Sequence, residues 1–169
     1  KTEQYVYDTA NPDPRLAHNL TACIAPAEVA DASLTPREVY NYGQTGDNYD
    51  RVLSCAIGGT NATGVGAGGT LVYAYDLSPA GGPSGTVSRT TVTDRNGNVC
   101  TYDHDAAGHC LQAVDDAGVG DYTHRMLYNL HGELTERILP LGNKTVYDYD
   151  ESNPDRFQQG NLLSVTRVP

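Results

Sequence analysis

One segment of the chain contains the pattern from which the rest follows: Gly97-Asn98-Val99-Cys100-Thr101-Tyr102-Asp103-His104-Asp105-Ala106-Ala107-Gly108-His109-Cys110-Leu111. The residues Asp105-Ala106-Ala107-Gly108 have the composition of a tight turn, and strand-like runs lie on both sides of them. Side chains along a strand alternate between its two faces, so Tyr102 and His104 share one face. We expect the Asp at the strand end to accept hydrogen bonds from turn amides. The segment therefore predicts a β-hairpin.

The first strand of this hairpin recurs along the chain in six copies, each with two ring-bearing positions or a close variant. A turn and an aliphatic second strand follow each copy, as in 161–165. Motifs that recur in this way indicate stacked supersecondary units. We predict six hairpins in a single array over residues 1–169, at about 1–26, 35–57, 70–94, 97–116, 122–140 and 143–169. The rings are predicted to form a ladder on one face of the sheet, made of Tyr5, Tyr7, Tyr40, Tyr42, Tyr73, Tyr75, Tyr102, His104, Tyr128, Tyr147 and Tyr149.

The two ends of the chain nearly repeat each other. Residues 5–20 and 147–162 align without a gap, and eight of the sixteen positions are identical. Both segments contain an Asn-Pro-Asp turn that is followed by an Asn-Leu strand start. The similarity predicts the same long hairpin at each end.

These motifs resemble the YD repeats of the Rhs family. The YD pattern, a Gly followed by Tyr-x-x-Asp-x-x-Gly, is matched by Gly97, Tyr102, Asp105 and Gly108. The segment departs from the pattern at two positions, where His104 replaces the second Tyr and His109 replaces the usual Arg. The run 160–162, Gly-Asn-Leu, is similar to the second strand of the longer YD variant. The resemblance implies a spiralling sheet that, in large members, wraps a hollow shell around a toxin or forms cell-surface structures. Six hairpins are too few to close such a shell.

The fold class that we predict is all-β, with tandem antiparallel hairpins in one elongated, twisted or spiralling sheet that is open at both ends. Tyr accounts for 12 residues, Gly for 18 and Pro for nine, which favours strands and turns. Only 26–39 hints at a helix. The N-terminus lacks a signal peptide and starts at Lys1, so we expect a processed chain or a piece of a longer one.

The charge of the chain bears on its partners. Its net charge is −10 and its 11 Lys and Arg are scattered, which argues against nucleic acid and against anionic membrane surfaces. No apolar run approaches the ~20 residues of a transmembrane helix. We expect an extracellular or cell-surface protein without membrane insertion, whose partners are its own copies or adjoining YD repeats.

The cysteines suggest two kinds of site. Cys100, His104, His109 and Cys110 have the ligand types of a zinc site, but a tight turn places Cys100 opposite Ala113 or Val114 and Cys110 opposite Asp103 or His104, so the four do not converge. Cys23 and Cys55 are each predicted on the second strand of a hairpin, and the first strand of the later hairpin lies between them. The distance across that strand is too long for a disulfide, so a local bridge between these two cysteines is disfavoured. The cysteines could therefore serve as small buried apolar side chains, or form a disulfide with a cysteine distant in the sequence, and the sequence leaves both alternatives open.

Other candidate sites are weak. The segment 94–98 resembles a calcium loop but has its Gly at the fourth position, and 115–121 is a looser candidate, so we expect no metal and no cofactor. No Gly-x-Ser-x-Gly elbow is present, and we predict that the chain is not an enzyme. Three sequons are candidate glycosylation sites, of which Asn61 is favoured because 58–69 reads as an exposed loop; the others are Asn19 and Asn143.

Two functions fit the sequence. The first is a structural extracellular scaffold, either a segment of an Rhs-type shell or surface protein, or a subunit that assembles head-to-tail into a fibre through its terminal hairpins. The alternative is a carbohydrate-binding or adhesion module in which exposed tyrosine rings stack on sugars.

Overall fold

The computed structural model describes residues 2–58, 68–116 and 120–169. Twelve strands follow one another in a single open antiparallel sheet, in which each strand lies beside its neighbours in the chain. This confirms the predicted fold class. The strands are β1 Gln4–Tyr7, β2 Leu20–Ile24, β3 Glu38–Tyr42, β4 Val52–Ile57, β5 Gly69–Asp76, β6 Ser88–Thr93, β7 Val99–His104, β8 Cys110–Asp116, β9 Asp121–Tyr128, β10 Leu134–Ile138, β11 Lys144–Tyr149 and β12 Leu162–Val168.

Helix is almost absent from the described chain. The hint over 26–39 corresponds to one short helix, α1 (Pro26–Ala30), and a single 3₁₀ turn covers Gly46–Asn48. The buried Glu28 carboxylate holds α1 in place, because it accepts hydrogen bonds from the amides of Ala25 at 2.6 Å and Arg37 at 3.0 Å. No helix in the described residues is long and apolar enough to cross a membrane.

A β-bulge occurs at the same place in five hairpins. In β1–β2, Val6 lies opposite Ala22 but Tyr7 lies opposite Leu20, so one residue of the second strand has no partner. The register shifts in the same way in the β3–β4, β7–β8, β9–β10 and β11–β12 pairs. The extra residue is always the second of its strand, namely Thr21, Leu53, Leu111, Thr135 and Leu163.

The bulge corrects one predicted pairing. Cys110 lies opposite His104, as expected, but Cys100 lies opposite Asp115 and not opposite Ala113 or Val114. The extra residue Leu111 moves every later partner along β8 by one position. A uniform register therefore fails beyond the turn.

The register between consecutive hairpins is also constant. The residue after each bulge pairs with the residue three positions before the last ring of the next hairpin. This rule holds at four junctions, through the pairs Ala22 with Val39, Ser54 with Val72, Gln112 with Arg125 and Glu136 with Val146. The hairpins therefore meet in the same alignment at these four junctions.

The short turns confirm the role predicted for the Asp at the strand end. The Oδ1 atom of Asp105 accepts hydrogen bonds from the amides of Ala107 and His109, both at 2.9 Å. Asp94 and Asn129 do the same for the two corresponding amides of their own turns. Gly108 has a φ of 89°, a left-handed conformation that explains the glycine of the motif.

The long turns at the two ends have matching hydrogen bonds, as the sequence similarity predicts. In the first, Asn11 donates to the Asp8 carboxylate at 2.6 Å and accepts from the Asp13 amide at 2.9 Å. In the last, Asn153 donates to Asp150 at 2.5 Å and accepts from the Asp155 amide at 2.9 Å.

The described residues divide into two compact units, Lys1–Tyr75 with Val92–Asn98, and Asp76–Thr91 with Val99–Pro169. Their apolar core is thin. The buried apolar side chains among the described residues are Leu16, Ala22 and Cys55, and three buried polar ones are Asn19, Glu28 and Asp103. Strand pairing and side-chain hydrogen bonds between neighbouring hairpins must therefore supply much of the order.

Candidate functional site

The recurring feature of this sheet is a hydrogen bond from a tyrosine hydroxyl to a backbone carbonyl of the preceding hairpin, which we term the tyrosine lock. The donor is the last ring of its copy of the ladder motif. The acceptor is the first residue of the preceding second strand, just before its bulge. The four locks join Tyr42 to Leu20 at 3.0 Å, Tyr75 to Val52 at 2.7 Å, Tyr128 to Cys110 at 3.1 Å and Tyr149 to Leu134 at 3.1 Å.

The lock tyrosines are half-buried. Burial raises the pKa of Tyr42, Tyr75 and Tyr128, because the ionised ring would lose hydration. These hydroxyls therefore keep their protons and act as donors over the physiological range. The ladder predicted from sequence placed these rings on one face, and the lock gives the last ring of four copies a partner in the preceding hairpin.

At two of the four locks, the residue before the acceptor lies against the tyrosine ring. His109 stacks on Tyr128 with ring centroids 4.7 Å apart and an interplanar angle of 21°. The Arg51 guanidinium lies 5.1 Å from the centre of the Tyr75 ring. The sequence suggested His109 as a replacement for Arg and as one of four possible zinc ligands, but did not reveal this contact, because the partner ring belongs to the next hairpin.

The first rings of the ladder make shorter-range contacts. The hydroxyl of Tyr5 donates to Glu3 at 3.2 Å, and that of Tyr40 donates to Glu38, which raises the pKa of Tyr40. Tyr73, Tyr102 and Tyr147 are half-buried on their strands.

His104 departs from the lock, as its sequence departs from the motif. Beside it, a paired charge joins β6 to β7: Arg89 donates from Nε to Asp103 Oδ1 at 2.6 Å and from Nη2 to Oδ2 at 3.1 Å. Asp103 is 1% exposed, so its carboxylate depends on this partner.

The structure places the remaining candidates apart from one another. None of the four cysteines forms a disulfide, and burial raises the pKa of Cys23, Cys55 and Cys110. No group of three or more His, Cys, Asp or Glu in the described part of the chain is arranged to hold a metal ion. In the segment 94–98, the Asp94 carboxylate binds amides of its own turn, while residues 117–119 of the other calcium candidate lie outside the described ranges.

The three sequons have different surroundings. Asn19 is 4% exposed. Asn143 is half-buried and follows the turn glycine Gly142. Asn61, with most of the loop predicted over 58–69, lies outside the described residues.

The two edge strands are exposed and apolar. On β1, Tyr5 is 57% and Tyr7 is 50% exposed, and on β12 Leu163 is 60% and Val165 is 51% exposed. All seven residues of β12 are exposed. An edge strand with unpaired backbone groups is a template for another strand.

Comparisons with known proteins found a relative in sequence and solved structures of similar fold. No protein-family model matches the chain. It is 33% identical over 106 residues to the double-stranded DNA deaminase toxin A of Burkholderia cenocepacia (strain H111). The matched region covers 55% of this chain and 7% of that protein. In structure, it matches a chain of the crystal structure of TcdB2-TccC3-Cdc42 with a TM-score of 0.40 and 14% identity, covering 98% of this chain and 9% of that one. The chain thus spans less than a tenth of either protein.

The comparison overturns one prediction. We expected a protein that is not an enzyme, and this is wrong because the relative is a deaminase. The expectation rested on motifs sought within 169 residues, whereas the match accounts for only 7% of the relative's length.

Proposed function

We propose that this chain is a length of β-sheet wall in a secreted toxin polypeptide of the Rhs type. The observation that carries the proposal is the tyrosine lock, which recurs at four junctions between hairpins with one register. A hydrogen bond that fixes one hairpin against the next in a repeated register is what an extended scaffold requires.

The energetics support the same role. An isolated two-stranded hairpin is marginal in water, and the described residues bury few apolar side chains. Each hairpin therefore takes its stability from its neighbours, as units of repeat proteins do. In such an array the exposed edge strands β1 and β12 would be covered by adjoining repeats.

The relative supplies the class of protein. Its name is that of a toxin, and the YD-repeat resemblance implies a shell or a surface structure. We assign this stretch the scaffold role and an extracellular or cell-surface location, and the toxin activity belongs to the polypeptide as a whole. Carbohydrate binding by the rings has no supporting contact and stays a prediction.

Electron cryomicroscopy of the complete polypeptide, purified from its host, tests the proposal. We expect residues 2–169 to form part of a longer sheet, with further strands paired to both β1 and β12. Edge strands that face solvent on both sides of this segment, in a particle without a continuous wall, would contradict it.

A further inference from the structure

The edge strand β12 is the counterpart of β2 at the other end of the chain. In both hairpins the bulge follows the first residue of the second strand, Leu20 in β2 and Leu162 in β12. The residue after the bulge then pairs with the position before the last ring, as Ala22 does with Val6 and Ser164 with Asp148. β12 therefore presents to solvent the same edge that β2 presents to β3.

The edge strand β1 is, in turn, the counterpart of β3. Both contain Glu-x-Tyr-x-Tyr, as residues 3–7 and 38–42. In both, the first tyrosine donates to the glutamate two positions earlier. β1 therefore has the side chains of a strand that docks on an edge such as that of β2.

Each edge contains one half of an unformed tyrosine lock. The Tyr7 hydroxyl has no hydrogen-bond partner among the described residues, and no described tyrosine donates to the Leu162 carbonyl. At four junctions within the chain, the corresponding donor and acceptor are joined.

We propose that β1 of a second copy of the chain adds to β12, antiparallel, with Tyr7 donating to the Leu162 carbonyl. The constant register at the four existing junctions sets Gln4 of the second copy opposite Ser164, and its Glu3 opposite Val165. Glu3 is then the diagonal neighbour of Arg167, an opposite charge on the same face.

This contact joins one end of the sheet to the other end of the next copy, so it is heterologous and produces linear assemblies where it does not close. The inference rests on the scaffold function proposed above, because the same edge would hold the next repeat in a longer chain.

Cysteine trapping tests the register. Residues directly opposite each other on antiparallel strands are close enough for a disulfide. We expect the double variant Gln4→Cys with Ser164→Cys to form a bridge between copies under oxidised glutathione, identified by peptide mass spectrometry so that native cysteines are distinguished. The control, Gln4→Cys with Val165→Cys, places its thiols on opposite faces and should yield several-fold less of the bridge. Equal yields, or no bridge in either variant, would overturn the inference.

Sedimentation velocity over a concentration series tests the lock. Tyr7→Phe removes a hydroxyl without a partner within the described chain, so the monomer should be unaffected, whereas association should weaken roughly two- to tenfold. The control Tyr122→Phe, which removes an exposed hydroxyl on β9, away from both edge strands, should associate like the unmodified chain. Equal effects of the two changes would contradict a role for Tyr7.

These outcomes separate the inference from the proposed function. If copies do not join but the sheet of the parent polypeptide continues past β12, only the inference about joined copies would be contradicted. If copies join but the corresponding strands of the parent polypeptide face solvent, only the proposed wall function would be contradicted.

Discussion

The tyrosine lock depends on a single oxygen atom. Tyr75 places its hydroxyl 2.7 Å from the Val52 carbonyl, and a phenylalanine would fill the same space without satisfying that carbonyl. We expect Tyr75→Phe to lower the free energy of unfolding by about 0.5–1.5 kcal/mol, the net contribution of one hydrogen bond. Urea denaturation followed by circular dichroism measures the change.

Tyr73 provides the matched control for this change. It lies two residues earlier on the same strand, is also half-buried, and has no hydrogen-bond partner for its hydroxyl in the described part of the chain. Tyr73→Phe should change stability by less than about 0.5 kcal/mol. If both variants lose the same stability, the ring and not the hydroxyl carries the contact.

The turn carboxylates give the fold a dependence on pH. The hydrogen bond with His109, together with the turn amides, lowers the pKa of Asp105. A lowered pKa in the folded state contributes stability above the unfolded value of about 3.9, and this stability is lost as the pH falls through the folded value. Asp105 therefore stabilises the turn at neutral pH and ceases to do so in acid.

Asn129 shows which substitution isolates that charge, because its Oδ1 accepts the same two turn amides as an aspartate would. We expect Asp105→Asn to keep the turn, with a melting temperature slightly below that of the unmodified chain at about pH 7 and a difference that narrows as the pH falls below about 3.9. Asp105→Ala should melt lower than both at neutral pH. An alanine variant as stable as the unmodified chain there would show that the turn does not need the acceptor.

At the scale of the element, the bulge decides where each hairpin meets the next. Thr135 is the extra residue of β10, and its Oγ1 donates to the Leu127 carbonyl at 3.1 Å, as Thr21 does to Val6. Deleting Thr135 would turn Leu134 to the opposite face and withdraw its carbonyl from Tyr149. We expect a loss of roughly 2 kcal/mol or more, measured by urea denaturation.

Thr135→Val is the control for this deletion, because it retains the backbone and removes only the hydroxyl. It should cost about 1 kcal/mol. A deletion no worse than this substitution would mean that β10 and β11 tolerate a change of register.

The elements also show how far the sequence could predict this structure. Strands and turns follow from local patterns, since Asp105 with Gly108 defines a turn, whereas the ring ladder, in which the spacing of Tyr40 and Tyr42 assigns them to one face, stays a prediction. The bulge has no such pattern, because the residues that occupy it include both Thr21 and Leu53. The lock was missed for the same reason, since identifying the acceptor of Tyr42 requires the register between hairpins.

The molecule as a whole bears a charge that opposes assembly. Each copy has a net charge of −10, whereas the pair expected at the contact between copies, Glu3 and Arg167, is exposed and contributes about 0–1 kcal/mol. Repulsion between whole copies therefore outweighs this local attraction at low ionic strength, where the Debye length is about 30 Å at 0.01 M salt.

Added salt should consequently favour the joining of β1 to β12. Between about 0.01 M and 0.5 M sodium chloride the Debye length shortens several-fold, which screens the repulsion and leaves the backbone hydrogen bonds of the new strand pair intact. We expect the weight-average sedimentation coefficient at a fixed protein concentration to rise over this range. Tyr7→Phe should follow the same trend at lower values, because it weakens the contact without changing the charge. Association that falls with salt would mean that ion pairs, and not the paired strand edges, hold the copies together.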